Sequence, residues 1–153
     1  MWLVFNDLWT VKKLNNIMKT FKRFCNHTAI ILDEEVTQSQ LNDIEKYADR
    51  LFKSVNVDVN FTRHFVDRVN DRRNKKPIST SELTRLFKQT YKKHGKKIPK
   101  MGDDAQAVIH DMQTDINMPF VLAYDDRNKE LDLVAKTIMR KRDFKTPNQK
   151  LTI

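Results

Sequence analysis

His64, Arg68 and Arg72 stand four residues apart in the segment Thr62-Arg63-His64-Phe65-Val66-Asp67-Arg68-Val69-Asn70-Asp71-Arg72. On a helix that spacing stacks the three side chains along one face. Histidine can take or give a proton near neutral pH. Guanidinium groups can hold a phosphate through forked donors. The set suits phosphodiester chemistry. Cleaving RNA without a metal needs a base for the 2′-hydroxyl, a donor for the leaving 5′-oxygen and cations for the charge that builds on the phosphorane. His64 is the candidate acid or base, and Arg68 and Arg140 are the candidate phosphate clamps. Thr137 could position the phosphate or a ribose hydroxyl. Arg63, Arg72, Arg73 and Lys136 are supporting cations. Each residue also has a plainer role open to it. His64 can satisfy backbone groups at a helix start, Arg68 can pair with Asp67 or Asp71, and Thr137 is an ordinary strand residue.

These residues need a strand-to-helix junction to bring them together. Val55, Val57, Val59 and Phe61 alternate with polar residues, which reads as a half-buried strand over 55–61. From Thr62 onward Phe65, Val66 and Val69 follow helical spacing, so a helix is expected over 63–73. Before the strand, Thr37-Gln38-Ser39-Gln40 has capping-box form and opens an amphipathic helix over 38–54. Ser79-Thr80-Ser81-Glu82 is a second capping box. Its helix carries Leu83, Leu86, Phe87 and Tyr91 on the buried side and ends at Gly95. Strands are expected at Ala105 to Met112, Met118 to Tyr124 and Glu130 to Lys141. The economical packing is an α+β domain, one antiparallel sheet with helices on one face, in the order β-α-α-β-β-β after an extra helix. Residues 1–35 read as an appendage, 36–145 as the domain and 146–153 as a tail.

The 153-residue chain has a net charge of +9, unevenly placed. Residues 59–100 carry 13 Lys/Arg against 3 Asp/Glu, whereas 1–58 balance and 101–153 are net −1. Lys92, Lys93, Lys96 and Lys97 crowd the end of the Ser79 helix. Such an excess favours a polyanion partner, RNA or possibly DNA. The single cysteine, Cys25, excludes an internal disulfide framework and points to a reducing compartment. His27, His64, His94 and His110 are scattered, with no metal-ligand spacing and no cofactor motif. No apolar run is long enough for a membrane span.

The segment Thr62, His64, Arg68 and Arg72, followed by Ile78-Ser79 and a second helix, resembles the small nucleases of the RelE/barnase/EndoU superfamily. Thr137-Ile138-Met139-Arg140 fits the last-strand pattern of their compact toxin members. The resemblance covers residues 55–142. It implies a RelE-like fold and a metal-independent endoribonuclease leaving 2′,3′-cyclic phosphate ends, with His64, Arg68, Thr137 and Arg140 at its centre. Met18-Lys19-Thr20-Phe21-Lys22-Arg23-Phe24 resembles the capsid-targeting segment of phage internal head proteins, or is an ordinary amphipathic helix. The first reading implies a phage origin, a start at Met18, and a place in the host cytoplasm or packaged in a virion. Capsid or host ribosome then join RNA as expected partners. The rival expectation is a binding or packaged protein without catalysis.

Overall fold

The computed structural model describes residues 35–153. The appendage over 1–34, with Cys25, His27 and the Met18–Phe24 segment, lies outside them. Helix α1, Gln38–Phe52, opens on the expected capping box, with Thr37 and Gln40 bonding each other's backbone N–H groups. Strand β1, Val57–Phe61, leads into helix α2, Arg63–Val69. Helix α3, Thr80–His94, starts on the Ser79–Glu82 box. Strands β2, Gln106–His110, and β3, Ile116–Asp125, follow. They are succeeded by β4, Glu130–Ala135, β5, Met139–Arg140, and β6, Gln149–Thr152.

The class is α+β, in the expected order, with a helix ahead of the sheet. The strands lie in the order β1-β4-β3-β2-β6, and β5 pairs with β3. The sheet is mixed and not the antiparallel sheet expected, because β1 runs parallel to β4 and β6 parallel to β2. Pairing β1 with its distant parallel partner places the start of α2 beside the end of β4. The three helices of the described residues contribute to one apolar cluster with a single sheet face, including Ala48, Phe65, Leu86, Val59, Phe120 and Leu133. Phe61 fixes α2 onto that core, stacked on Phe65 at 4.4 Å and on Phe87 at 5.7 Å between centroids.

Three further expectations are corrected. Residues 149–152 are an edge strand and not a tail, since Leu151 and Ile153 reach the core. The strand expected over 130–141 is broken into β4 and β5. Ala135 faces Phe120 and Met139 faces Asn117, so three residues oppose two. Pro119 sits in the shorter span and has no N–H to give, and its carbonyl accepts from Lys136. The result is a bulge at 136–138. The helix expected over 63–73 ends at Val69. Asn70 leaves it to bond both backbone groups of Val36, at 2.8 and 2.9 Å, and Arg72–Asn74 form a separate single turn.

The edge of β1 is closed by helix α1. Asp49 accepts the Val59 N–H at 2.7 Å and Glu45 accepts that of Phe61 at 3.0 Å. Two carboxylates one helical turn apart thus satisfy donors that would otherwise invite another strand.

Candidate functional site

Thr62 makes the joint on which the site depends. Its hydroxyl accepts the Phe65 N–H at 3.0 Å, capping α2. The same hydroxyl donates to the Lys136 carbonyl at 2.8 Å, and the Thr62 N–H reaches the Ala135 carbonyl. The first turn of α2 is thereby tied to the bulge after β4. His64 and Thr137 consequently line one cavity of about 710 Å³. Arg68, Asp71, Arg73, Asn74 and Lys75 add the wall that leads on from α2, while Ile138 to Arg142 and Asp115 line the rest. Six Arg and Lys side chains face two Asp, so the cavity is strongly cationic.

His64, Arg68, Thr137 and Arg140 therefore meet, although the helix pair and the strand pair lie 69 to 76 residues apart in sequence. Their donors are not equally free. Arg140 is 14 % exposed, and its guanidinium makes four hydrogen bonds and an ion-pair contact within the protein. Nε donates to the Lys76 carbonyl at 3.2 Å. The two terminal nitrogens reach the carbonyls of Thr114 and Pro77, at 2.9 and 3.1 Å, and both carboxylate oxygens of Glu82, at 2.9 and 3.1 Å. Burial alone would raise the Glu82 pKa. Hydrogen bonding and charge from Arg140, together with Ser79, outweigh it and hold the carboxyl below its ordinary value. In this geometry Arg140 is a clamp within the protein, with four of its five N–H groups bonded to its own chain and its charge paired with Glu82.

Arg68 is half committed. It pairs with Asp71 at 2.8 Å, and its Nε points at His64 Nε2 over a long 3.4 Å. That contact places the His64 lone pair, rather than an N–H, on the arginine side. Arg73 shares Asp71, at 2.9 Å, but is far more exposed. Lys141 and Arg142 are exposed cations of the cavity that sequence reasoning did not single out, as is Lys75. Only the bulge could have revealed the first two, and it follows from long-range register.

Arg63, Arg72 and Lys136 are exposed but do not line the cavity. Arg72 was placed on the His64 face on the assumption of a continuous helix, which the break at Asn70 removes. Lys92, Lys93, Lys96 and Lys97 are exposed at the far end of α3. Glu82, bonded to the cavity's Arg140, is about 18 Å from His94 at 1.5 Å per residue. The basic segment 59–100 is therefore two separate cationic regions. His94 packs its Nε2 on the Thr152 carbonyl at 2.9 Å. His110 lies outside the cavity, with Nδ1 2.6 Å from Asn117 Oδ1.

A second cluster was not anticipated. Asp58, Glu130 and Asp132 bring carboxylate oxygens within 4.8 Å of one another at the β1–β4 pair. Asp49 adjoins them. Burial, a hydrogen bond shared with Asp58 and repulsion from Asp58 and Glu45 push its carboxyl up to about 7. Asp132 is also raised, by desolvation and then by Asp58 and Asp125.

No helix among the described residues is long and apolar enough to cross a membrane. Comparison with protein-family models, with curated proteins and with solved structures finds no match. The likeness to the RelE/barnase/EndoU nucleases thus rests on the motif residues themselves.

Proposed function

We propose that this protein binds RNA through the cavity at the α2–bulge joint and cleaves it without a metal, with His64 as acid or base. The observation that supports the reading is the cavity's composition. An exposed imidazole and a threonine hydroxyl lie among uncommitted cations, on elements far apart in sequence. His64 Nε2 faces Arg68, so a phosphate drawn to that guanidinium lies beside a group able to exchange a proton. Thr137 is aimed inward by the bulge and can bond a phosphate or ribose oxygen. Lys75, Lys141 and Arg142 supply the cationic surround, and Arg140 holds the walls. The 2′-oxygen, giving up its proton, bonds to phosphorus as the P–O5′ bond breaks; the 5′-oxygen takes a proton and leaves as a 5′-hydroxyl, and a 2′,3′-cyclic phosphate remains.

The test is His64→Ala against a panel of single-stranded RNAs. Cleavage is expected to fall roughly 10²–10⁴-fold, the scale of one general acid–base group, with binding retained. The reaction is expected to persist in EDTA, because side chains carry each role, and to fail on RNA with 2′-deoxy at the scissile position. A variant as active as the parent overturns the catalytic assignment.

One observation favours a second reading, nucleic-acid binding without catalysis. Both arginines expected to meet the phosphorane are engaged, Arg140 wholly and Arg68 through Asp71. A parent protein that binds RNA, cuts none of the panel and is indifferent to His64→Ala would establish it. Packaging in a phage head rests on residues 18–24, and virion proteomics is its test.

A further inference from the structure

We propose that Lys75 is the residue that grips the phosphate of a bound single-stranded RNA, presented by a strained turn that Asn74 and Arg140 hold in place; the inference rests on the nucleic-acid reading of the cavity.

Lys75 has φ 62° and ψ −55°. The Lys76 N–H donates to the Asn74 carbonyl across it at 2.6 Å. That is a γ-turn of positive φ, the rare and strained form. Glycine adopts such a backbone without penalty, whereas a side chain there crowds its own carbonyls. Strain of this kind persists only where the surroundings over-determine it, and it gathers at functional sites.

The surroundings here do over-determine it. Asn74 is 4 % exposed. Its amide donates to the Arg68 carbonyl at 2.9 Å, and its side-chain oxygen accepts the Arg140 N–H at 3.2 Å. On the other side of the turn, Arg140 holds the carbonyls of Lys76 and Pro77. The turn is pinned before and after Lys75. Lys75 itself is exposed and lines the cavity, and while its backbone N–H donates to the Arg72 carbonyl, its ammonium has no hydrogen-bond or ion-pair partner among the described residues. Arg73, two residues earlier, shares Asp71 with Arg68. Within the loop, Lys75 is therefore the cavity-lining cation whose charge is left for a ligand. An ammonium on a flexible stem is suited to a phosphate as a point charge with three donors. A cavity of about 710 Å³ falls in the range of small-ligand sites. It admits nucleotides of an unpaired strand rather than a duplex.

The experiment compares Lys75→Gly, Lys75→Ala and Lys75→Arg with the parent chain. Melting temperature is measured, and so are the dissociation constants for a single-stranded oligoribonucleotide and for inorganic pyrophosphate over a salt series. The Gly and Ala variants lose the same charge, so their difference in melting temperature reports the turn. The Gly variant is expected to melt a few degrees above the Ala variant. Both are expected to bind the oligonucleotide and pyrophosphate about tenfold more weakly, with the oligonucleotide salt slope reduced by about 0.7. The Arg variant is expected to stay within about threefold of the parent. Equal melting of the Gly and Ala variants overturns the strained turn. Parent-like binding of both probes by the Gly and Ala variants overturns the grip while leaving the RNA reading intact. Pyrophosphate binding that depends on Lys75, with no RNA binding by the parent, sustains the grip and overturns the RNA reading. A parent that binds neither probe overturns both.

Discussion

Replacing Asp49 by Asn is expected to stabilise the protein at pH 8, and by only about a third as much at pH 5. Asp49 accepts the Val59 N–H and shares a hydrogen bond with Asp58, so one of the two carboxyls must supply a proton. Its pKa is pushed from the ordinary 3.8 up to about 7, first by burial and then by Asp58. The folded state then holds a proton that the unfolded chain has already released, so stability falls as pH rises. This contribution is fully present below 3.8 and is lost as pH passes through about 7. Taken at face value the shift corresponds to a ceiling of roughly 4 kcal/mol. Asp49 is only half-buried, and solvent screening reduces the figure to about 1 kcal/mol. Asparagine still accepts from Val59 and offers Asp58 a permanent N–H. The gain at pH 8 is therefore about 1 kcal/mol, or about 3 °C in Tm. Urea unfolding followed by circular dichroism at both pH values measures it. Equal stability changes at pH 5 and pH 8, or a loss at pH 8, would refute the shared-proton account.

Arg140→Ala is expected to destabilise the domain by about 3 kcal/mol or more in urea melts, because it strands Glu82 and three carbonyls around a buried charge pair. A change under 0.5 kcal/mol would show that the clamp carries no weight. Glu82 is held below its ordinary 4.5, so its contribution is present above that value and lost as pH falls through the lower folded value. Melting curves at successive acid pH values should accordingly show a shallower loss for Glu82→Gln than for the parent. Converting Lys92, Lys93, Lys96 and Lys97 to Gln is expected to flatten the salt dependence of RNA affinity by roughly three units, while cleavage at saturating RNA stays as before. A fallen saturating rate would place that patch at the cavity. A chain starting at Glu35 is expected to unfold in one transition, since Val36 keeps both bonds to Asn70; aggregation would assign residues 1–34 to the core.

Local chemistry was legible where a short segment decides the outcome. Thr37-x-x-Gln40 and Ser79-x-x-Glu82 close capping boxes because all the partners lie within one turn. The shift of period at Thr62 marks the strand-to-helix joint for the same reason. Long-range register was not legible. Nothing near Lys136 announces that Pro119, across the sheet, lacks a donor and forces the bulge that turns Thr137 inward. The tail was misread because Leu151 and Ile153 are too few to show a period, yet pairing with β2 buries both. Gly95 ends α3 as expected, though at φ −57° and not through positive φ. A Cβ there would lie 2.4 Å from the Tyr91 carbonyl, so close approach selects the glycine. For the site, residue type identified Arg140 but could not say whether its donors were free.

That last distinction reorganises the cavity. An arginine bonded four times to its own chain contributes rigidity, and its charge is largely met by Glu82. Non-glycine residues in strained turns cost on the order of 1–3 kcal/mol. A turn carrying that strain at Lys75 keeps its shape only if its neighbours hold more tightly than the strain relaxes. Arg140 and Asn74 grip the backbone on both sides of Lys75, and Arg140 also reaches the Thr114 carbonyl beside Asp115. One buried guanidinium thus fixes the 74–77 turn, the first turn of α3 and the β2–β3 connection relative to β5. Those are the pieces that carry Lys75, Asp115, Lys141 and Arg142 into the cavity. Loss of Arg140 should therefore act on ligand binding through the position of these groups, which is why forked phosphate recognition is better sought in Arg142, an exposed cavity arginine, than in Arg73, whose fork is held by Asp71.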